Sequence, residues 1–346
     1  MVKDVLKAPF HAAGLLTGAK SFVDNPVIGS AWLNRRGLHV GRVRLAEQMA
    51  ERRRRRLQHL VNPADAATFA RDGIVVRHDV LPPNEFARLQ DALAKRPLPS
   101  HEMRQGGTVT RFVALTPALL ADLPALDAVA RGPLLQGLLR YVAATDADPL
   151  LYLNAVFATS QTAAQDPQTV LHGATFHATA KAWFFLGDVG PEDGPFHYVP
   201  GSHRLTPGRA AWEQAQSLTA RNHPVRVHAR GSLRATAADL AAMGYGEPEA
   251  CTVPANTLVV ADTHGFHARG RPSSAAARPA LYASLRRNPF LPWTGLDLAS
   301  LPGLKGRKAA LWDRLRGAIA QHFGRPDGQP YVGELRLDEW PTGFDR

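Results

Sequence analysis

From Leu171 to Gly270 the chain runs in short apolar bursts broken by glycine and proline. Lys181-Ala182-Trp183-Phe184-Phe185-Leu186 is followed by Gly187, Gly190-Pro191 and Gly194-Pro195; Phe196-His197-Tyr198-Val199 ends in Pro200-Gly201; Leu258-Val259-Val260-Ala261 ends before Gly265. Aromatic and β-branched bursts bounded by such turns read as strands. Strands separated by turns suit one sheet packed on another, decorated by helices. No fixed-period repeat or low-complexity tract is present, which excludes a solenoid.

The first half is more helical. Residues 1–65 read as an arm ending in a helix, with an interrupted apolar stripe through Val43, Leu45, Met49, Leu57, Leu60 and Val61. Arg52 to Arg56 form an unbroken basic run, and because each helical residue turns about 100°, these arginines encircle the helix. Some must meet solvent or an anion. No aromatic interleaving, zinc signature or RNA-binding motif accompanies them, so nucleic-acid binding is not expected. Asn62-Pro63-Ala64-Asp65 caps a helix, Asp72-Gly73 leads into the strand Ile74-Val75-Val76-Arg77, and Phe86, Leu89 and Leu93 give the apolar face of the next helix. The stretch from Arg104 to Arg111 is strand-like with polar residues at alternate positions. Arg104 and Arg111 are candidate anion contacts in a substrate pocket; an exposed hairpin is the plainer reading. Residues 114–144 return to helical spacing, and 149–159 read as a strand with Tyr152, Asn154 and Val156 on one face.

The 346 residues suffice for one large domain, and a formal charge of +11 favours acidic partners through long-range steering. A single cysteine, Cys251, allows no internal disulfide and no cysteine cluster; beside Val253 it reads as a buried, inert thiol in a reducing compartment. No apolar run approaches the roughly 20 residues of a spanning helix. Residues 1–20 carry Asp4 and lack a clear signal-peptide core. A cytoplasmic protein without stable membrane insertion is expected, with a small allowance for surface attachment. The nucleophile-elbow, Walker and dinucleotide motifs are absent.

His172-Gly173-Ala174-Thr175-Phe176-His177, the Pro-Gly-Ser-His-Arg turn at 200–204 and the run Asn256 to Gly270 carry a family resemblance, joined by the strand and helix that follow Asp72-Gly73. Over residues 66–290 the chain resembles the phytanoyl-CoA dioxygenase-type iron(II)/2-oxoglutarate oxygenases. The resemblance implies a mainly β fold with packed helices: a double-stranded β-helix (jelly-roll, cupin-like) core at 66–290, a helical arm at 1–65 and a C-terminal extension at 291–346 packed on the core or over its mouth. In that family two histidines and a carboxylate hold the iron on one face of an octahedron, the carboxylate standing two residues after the first histidine. By resemblance His172 and His267 are the metal ligands. Arg278, eleven positions after His267, grips the distal carboxylate of 2-oxoglutarate, a task for which a planar guanidinium is suited. Where the family has its acid, this chain has Ala174.

Several readings of Ala174 compete. Two neutral imidazoles and a doubly charged 2-oxoglutarate leave iron(II) neutral, and a bound halide restores the missing negative charge in the space the acid vacates. The H-x-A pattern is that of the iron/2-oxoglutarate halogenases, which implies chlorination or bromination of an unactivated C–H with succinate and CO2 as coproducts. A halide needs donors; Thr175, His264, Arg286 and the backbone around Gly173 are candidates. Alternatively water, His264 or His177 fills the position and the chain is a hydroxylase with an altered metal site. A third reading is a silent binding protein on the same fold, since losing a ligand weakens metal affinity, and a fourth is that Ala174 is an introduced substitution. Lys181 is a candidate contact for an anionic substrate or cosubstrate, on one strand face with His177, Thr179 and Trp183. The substrate class implied is a small or carrier-tethered molecule, with acidity mildly favoured by the basic surface. His203 and Arg204 read as structural parts of their turn.

Overall fold

A computed structural model describes residues 9–301 and 303–344. Eight strands form one antiparallel sheet in the order β1-β8-β5-β10-β4-β3-β2-β11, and three form a smaller sheet in the order β7-β6-β9. The strands are β1 (Ile74–Arg77), β2 (Leu98–Gln105), β3 (Thr108–Ala114), β4 (Leu150–Ala158), β5 (Thr179–Phe185), β6 (Phe196–Tyr198), β7 (Glu249–Cys251), β8 (Thr257–Asp262), β9 (His267–Arg269), β10 (Ala276–Arg286) and β11 (Tyr331–Leu335).

Period-two alternation decides what each strand does. On β5, Ala180, Ala182 and Phe184 enter the main core, whereas Lys181, Trp183 and Phe185 face a cavity on the other side. On β10 the same split separates Leu281, Ala283 and Leu285 from Arg278, Ala280 and Tyr282. The core face is covered by α3 (Pro83–Ala94), α4 (Pro117–Asp122), α5 (Pro124–Arg131) and α6 (Pro133–Val142), whose leucines and valines join one continuous apolar cluster with the strands. The small sheet stands across the cavity, with Phe196 of β6 stacked 4.7 Å from Trp183 of β5. This is consistent with a double-stranded β-helix core. The expectation of a mainly β protein is corrected, because helices hold more of the described residues than strands do. The reason is coverage: a sheet apolar on its outer face must be buried by another layer, and helices supply it.

The arginine run sits at the C-terminal end of α1 (Leu38–Leu57). Arg52 and Arg55 are exposed, as expected, and Arg54 meets an anion, Asp262, at 3.1 Å. Arg53 does neither. It is buried and donates to the carbonyls of Ala144 (2.7 Å), Pro289 (2.9 Å) and Leu291 (2.5 Å), tying the arm to the end of α6 and to the loop after β10. The next helix, α2 (Pro63–Asp72), begins at Asn62, whose side chain accepts from the Asp65 N–H at 2.7 Å, and ends at Gly73 with φ +80°. A side chain at Gly73 would also collide with His203 and Tyr198. The C-terminal segment lays β11 along the edge of β2 and sets α8 (Lys308–His322) against β4, where Tyr152 Oη donates to Asp313 at 3.2 Å; a helix α7 (Pro207–Thr219) packs behind β9 through Trp212 on Phe266. Cys251 is half-buried on β7, and desolvation pushes its thiol up to about 11, which keeps it protonated and inert.

Candidate metal and oxoacid site

His172 and His267 exchange both backbone hydrogen bonds, N–H to carbonyl at 3.0 Å in each direction, and their rings lie 4.4 Å apart. Each Nδ1 is held by a carbonyl two residues earlier: Val170 for His172 and Gly265 for His267, both at 2.8 Å. A carbonyl can only accept, so Nδ1 carries the proton and Nε2 presents its lone pair. The Nε2 of His267 is buried without a hydrogen-bond partner. Burial, followed by the charge of Arg234, pushes His172 down to about 3; burial and then His172 push His267 well below the usual histidine range. Two neutral imidazoles with fixed tautomers, side by side on one cavity, are what a divalent metal requires of histidine ligands.

The turn between β8 and β9 seats His267. A Cβ at Gly265 would meet the Tyr198 hydroxyl, which donates to the Asp262 carbonyl at 2.9 Å, so this position must be glycine. The Asp262 carboxylate accepts from the N–H groups of Thr179 and His264, both at 3.0 Å, and thereby joins the start of β5 to the end of β8.

Both histidines open into a cavity of about 250 Å3 between the sheets. Arg278, Arg269 and Lys181 line it, and among the described residues no aspartate or glutamate does. Arg269 is neutralised by Asp166 at 2.5 Å. Arg278 donates to the Gly194 carbonyl and, among the described residues, has no ion pair. Desolvation, then the charge of Arg269, pushes it down to about 9. Lys181 has no hydrogen bond or ion pair among the described residues; desolvation, then Arg269 and Arg286, lowers it to about 8. Trp183, Phe185, Phe196 and Tyr282 supply aromatic walls. The cavity can hold a metal at one end and a carboxylate on Arg278. Among the described residues no third histidine, cysteine, aspartate or glutamate completes a metal-holding group.

The sequence candidates divide accordingly. His172, His267, Arg278 and Lys181 come together. Ala174 is half-buried and is not among the cavity-lining residues; its N–H donates to Thr263 (2.8 Å) and its carbonyl accepts from Lys20 Nζ (2.5 Å). The strand expected from His172 onward starts only at Thr179, because Gly173 and Ala174 pair with Leu233 and Thr263 rather than with a ladder. That irregular path turns Thr175 into a water-sized space beside Lys20 and Arg209, away from the cavity. His264 and His177 face a second small space with Glu47, His203 and Asp262, and His264 Nδ1 bonds the Thr175 carbonyl at 2.9 Å. None of the three lines the histidine cavity, and His177 does not share a face with Lys181. Arg286 follows Arg278 by eight residues, roughly 27 Å along β10, and is exposed in a separate groove.

Arg104 and Arg111 do form the hairpin strands β2 and β3, but on the wrong parity. Met103 and Gln105, and Thr110 and Phe112, line the cavity; Arg104 is exposed on the other face. Arg111 is fully buried opposite Glu102 in register, pairs with it at 2.6 Å and donates to the carbonyls of Arg336 and Glu339. It clamps the tail instead of a substrate. Lys20 was missed, since nothing in the arm's pattern ties it to residue 174; Asn154 and Gln168 were missed as cavity residues too.

A jelly-roll-like pair of sheets with two neutral histidines and an arginine without an ion pair on one cavity suits the class of iron(II)/2-oxoglutarate oxygenases. The model of the phytanoyl-CoA dioxygenase (PhyH) family matches residues 69–279, and the chain belongs to that family. Its cofactor and cosubstrate, iron(II) and 2-oxoglutarate, suit the residues present. Among solved structures the chain is similar to the non-heme alpha-ketoglutarate-dependent epimerase SnoN from nogalamycin biosynthesis, at 22% identity over 68% of this chain and 93% of that one, with a TM-score of 0.40. It is also similar to HygX from Streptomyces hygroscopicus with nickel and 2-oxoglutarate bound (17% identity, 71% and 94% covered, TM-score 0.41). EctD from S. alaskensis with bound Fe is a third (15%, 65% and 76%, TM-score 0.38). No curated protein matches the chain.

Proposed function

We propose that the chain oxidises a small molecule at an iron(II) to which the protein contributes only His172 and His267, with 2-oxoglutarate on Arg278 and the third facial position open to an exogenous ligand. The observation that carries this reading is the pair of fixed, neutral imidazoles sharing an acid-free cavity with an unpaired Arg278. When bound, iron(II) with 2-oxoglutarate supplies the oxidising power, through loss of CO2 and formation of succinate. The chain's own residues do the rest. The carbonyls of Val170 and Gly265 hold the imidazole tautomers. Arg278 offers parallel donors to a distal carboxylate, Asp166 draws Arg269 aside, and the aromatic walls exclude water. Lys181 remains free to meet an acid group of the substrate.

Halogenation is a second reading, favoured by the local charge. Lys181 and Arg278 line the cavity without an ion pair, and among the described residues no aspartate or glutamate lines it. A chloride or bromide in the open position would find an electropositive setting; water there would lead to hydroxylation. Anaerobic titration with iron(II) and 2-oxoglutarate tests both readings through the visible metal-to-ligand charge-transfer band. A band that shifts with chloride supports halogenation, a band indifferent to chloride supports the oxygenase with water, and no band at all overturns both.

A further inference from the structure

Helix α8 faces the wrong way for a helix that ends its role by packing on this sheet. Its buried side chains are Ala309 and Asp313, while Leu311, Trp312, Leu315 and Ile319, with Phe323 just beyond its end, are between 42% and 63% exposed. Leu311, Leu315, Ile319 and Phe323 recur every four residues and so form one apolar stripe along the helix. Leu298 and Leu304 extend it, and with Leu311, Trp312 and Leu315 they wall a groove of about 440 Å3. The exposed charges of the helix and of the loop before it are basic, although Asp297 pairs with Lys308 at 3.7 Å and Asp327 with Arg316 at 2.7 Å. From residue 298 to 325 the sole acid is Asp313, buried against Tyr152 and Arg316, whereas Lys305, Arg307, Arg314 and Arg325 are exposed.

We propose that the stripe of α8 and its flanking loop dock on an anionic lipid surface, leucines and Trp312 in the headgroup boundary and the basic residues against the lipid charge. Apolar contact and charge each act here: an exposed apolar stripe with an aromatic residue, flanked by exposed basic side chains, suits the headgroup boundary of an anionic lipid surface. No described helix is long and apolar enough to cross a membrane, so the attachment is peripheral. The groove adjoins Ser284 and Arg286 on β10, and Ser284 is in register with Lys181 of the histidine cavity. Docking would set the groove against the bilayer and place this end of the cavity sheet next to it.

The test uses the full chain and sedimentation with vesicles of phosphatidylcholine alone or mixed with phosphatidylserine. Binding to the mixed vesicles that fades with salt, and that falls about tenfold or more in the double variant L315S/I319S, is the expected result. Both leucine-stripe positions are about half exposed, so the variant should keep the parent's circular dichroism and melting temperature. Failure to bind mixed vesicles, equal binding to neutral ones, or a dimer in light scattering that L315S/I319S disperses without any vesicle binding would overturn the proposal.

Discussion

Arg278→Met should weaken 2-oxoglutarate binding and, in the same molecule, strengthen the fold. Arg278 is a half-buried cation whose guanidinium has a carbonyl partner and no ion pair among the described residues, with Asp193 and Asp166 acting on it only at longer range. Its descent from 12.5 to about 9 reports the cost of holding that charge without water, a ceiling of roughly 5 kcal/mol, because the guanidinium stays protonated at neutral pH. Methionine fills the space without the charge. After subtracting the Gly194 carbonyl it leaves unpaired, a gain of about 1 to 3 kcal/mol in the ligand-free chain is expected. A distal carboxylate that loses its buried cation should lose about 2 to 5 kcal/mol, which is about 30-fold to several thousand-fold in Kd. Chemical denaturation of the ligand-free protein reads the first effect, and calorimetric titration with 2-oxoglutarate under anaerobic iron(II) reads the second. A variant that binds 2-oxoglutarate within about threefold of the parent would refute the role of Arg278, and a destabilised apoprotein would refute the account of its charge.

Ala174→Asp tests whether position 174, which does not line the cavity, reaches the iron at all: if it does, iron(II) should bind more tightly and any chloride shift of the charge-transfer band should vanish, and a chloride shift that survives would sink the halide reading. Glu102→Gln, which leaves Arg111 buried and unpaired, should cost about 3 to 5 kcal/mol in denaturation while leaving 2-oxoglutarate affinity unchanged. Desolvation first, and nearby charges after it, hold His177 down to about 4, His203 to about 2 and His264 to about 3. Unfolding therefore takes up protons below the ordinary histidine pKa of 6.5. Stability should fall with acidification from about pH 6.5 by roughly 4 kcal/mol per pH unit for these three, a trend that continues to about pH 4 before it flattens; melting temperatures that stay level between pH 5 and 7 would contradict it.

The three residues proposed to hold iron and 2-oxoglutarate could be picked out because each sits in a local pattern: His172 before Gly-Ala-Thr-Phe-His, His267 after the turn that needs Gly265, and Arg278 at a set distance beyond; the structure brings all three to one cavity. The strands of the second half were legible for a similar reason, since apolar bursts between turns are a property of neighbouring residues. The oxygenase class followed from those motifs, and the family match agrees with it.

Only the folded chain decided which face each polar residue took. Arg111 and Thr110 are adjacent in sequence, yet one clamps the tail and the other lines the cavity, because parity acquires meaning only when a sheet has an inside. Arg53 could be read as a solvent or anion contact until the carbonyls of Ala144, Pro289 and Leu291 converged on it from distant segments. Lys20 reached Ala174 across 154 positions, and α8 turned its leucines outward. Motifs are written in local spacing, but contacts between distant segments depend on how every intervening element packs. For that reason the histidine motifs and the family they belong to were readable in one dimension, whereas the charges that surround the histidines and the surface beside them required three.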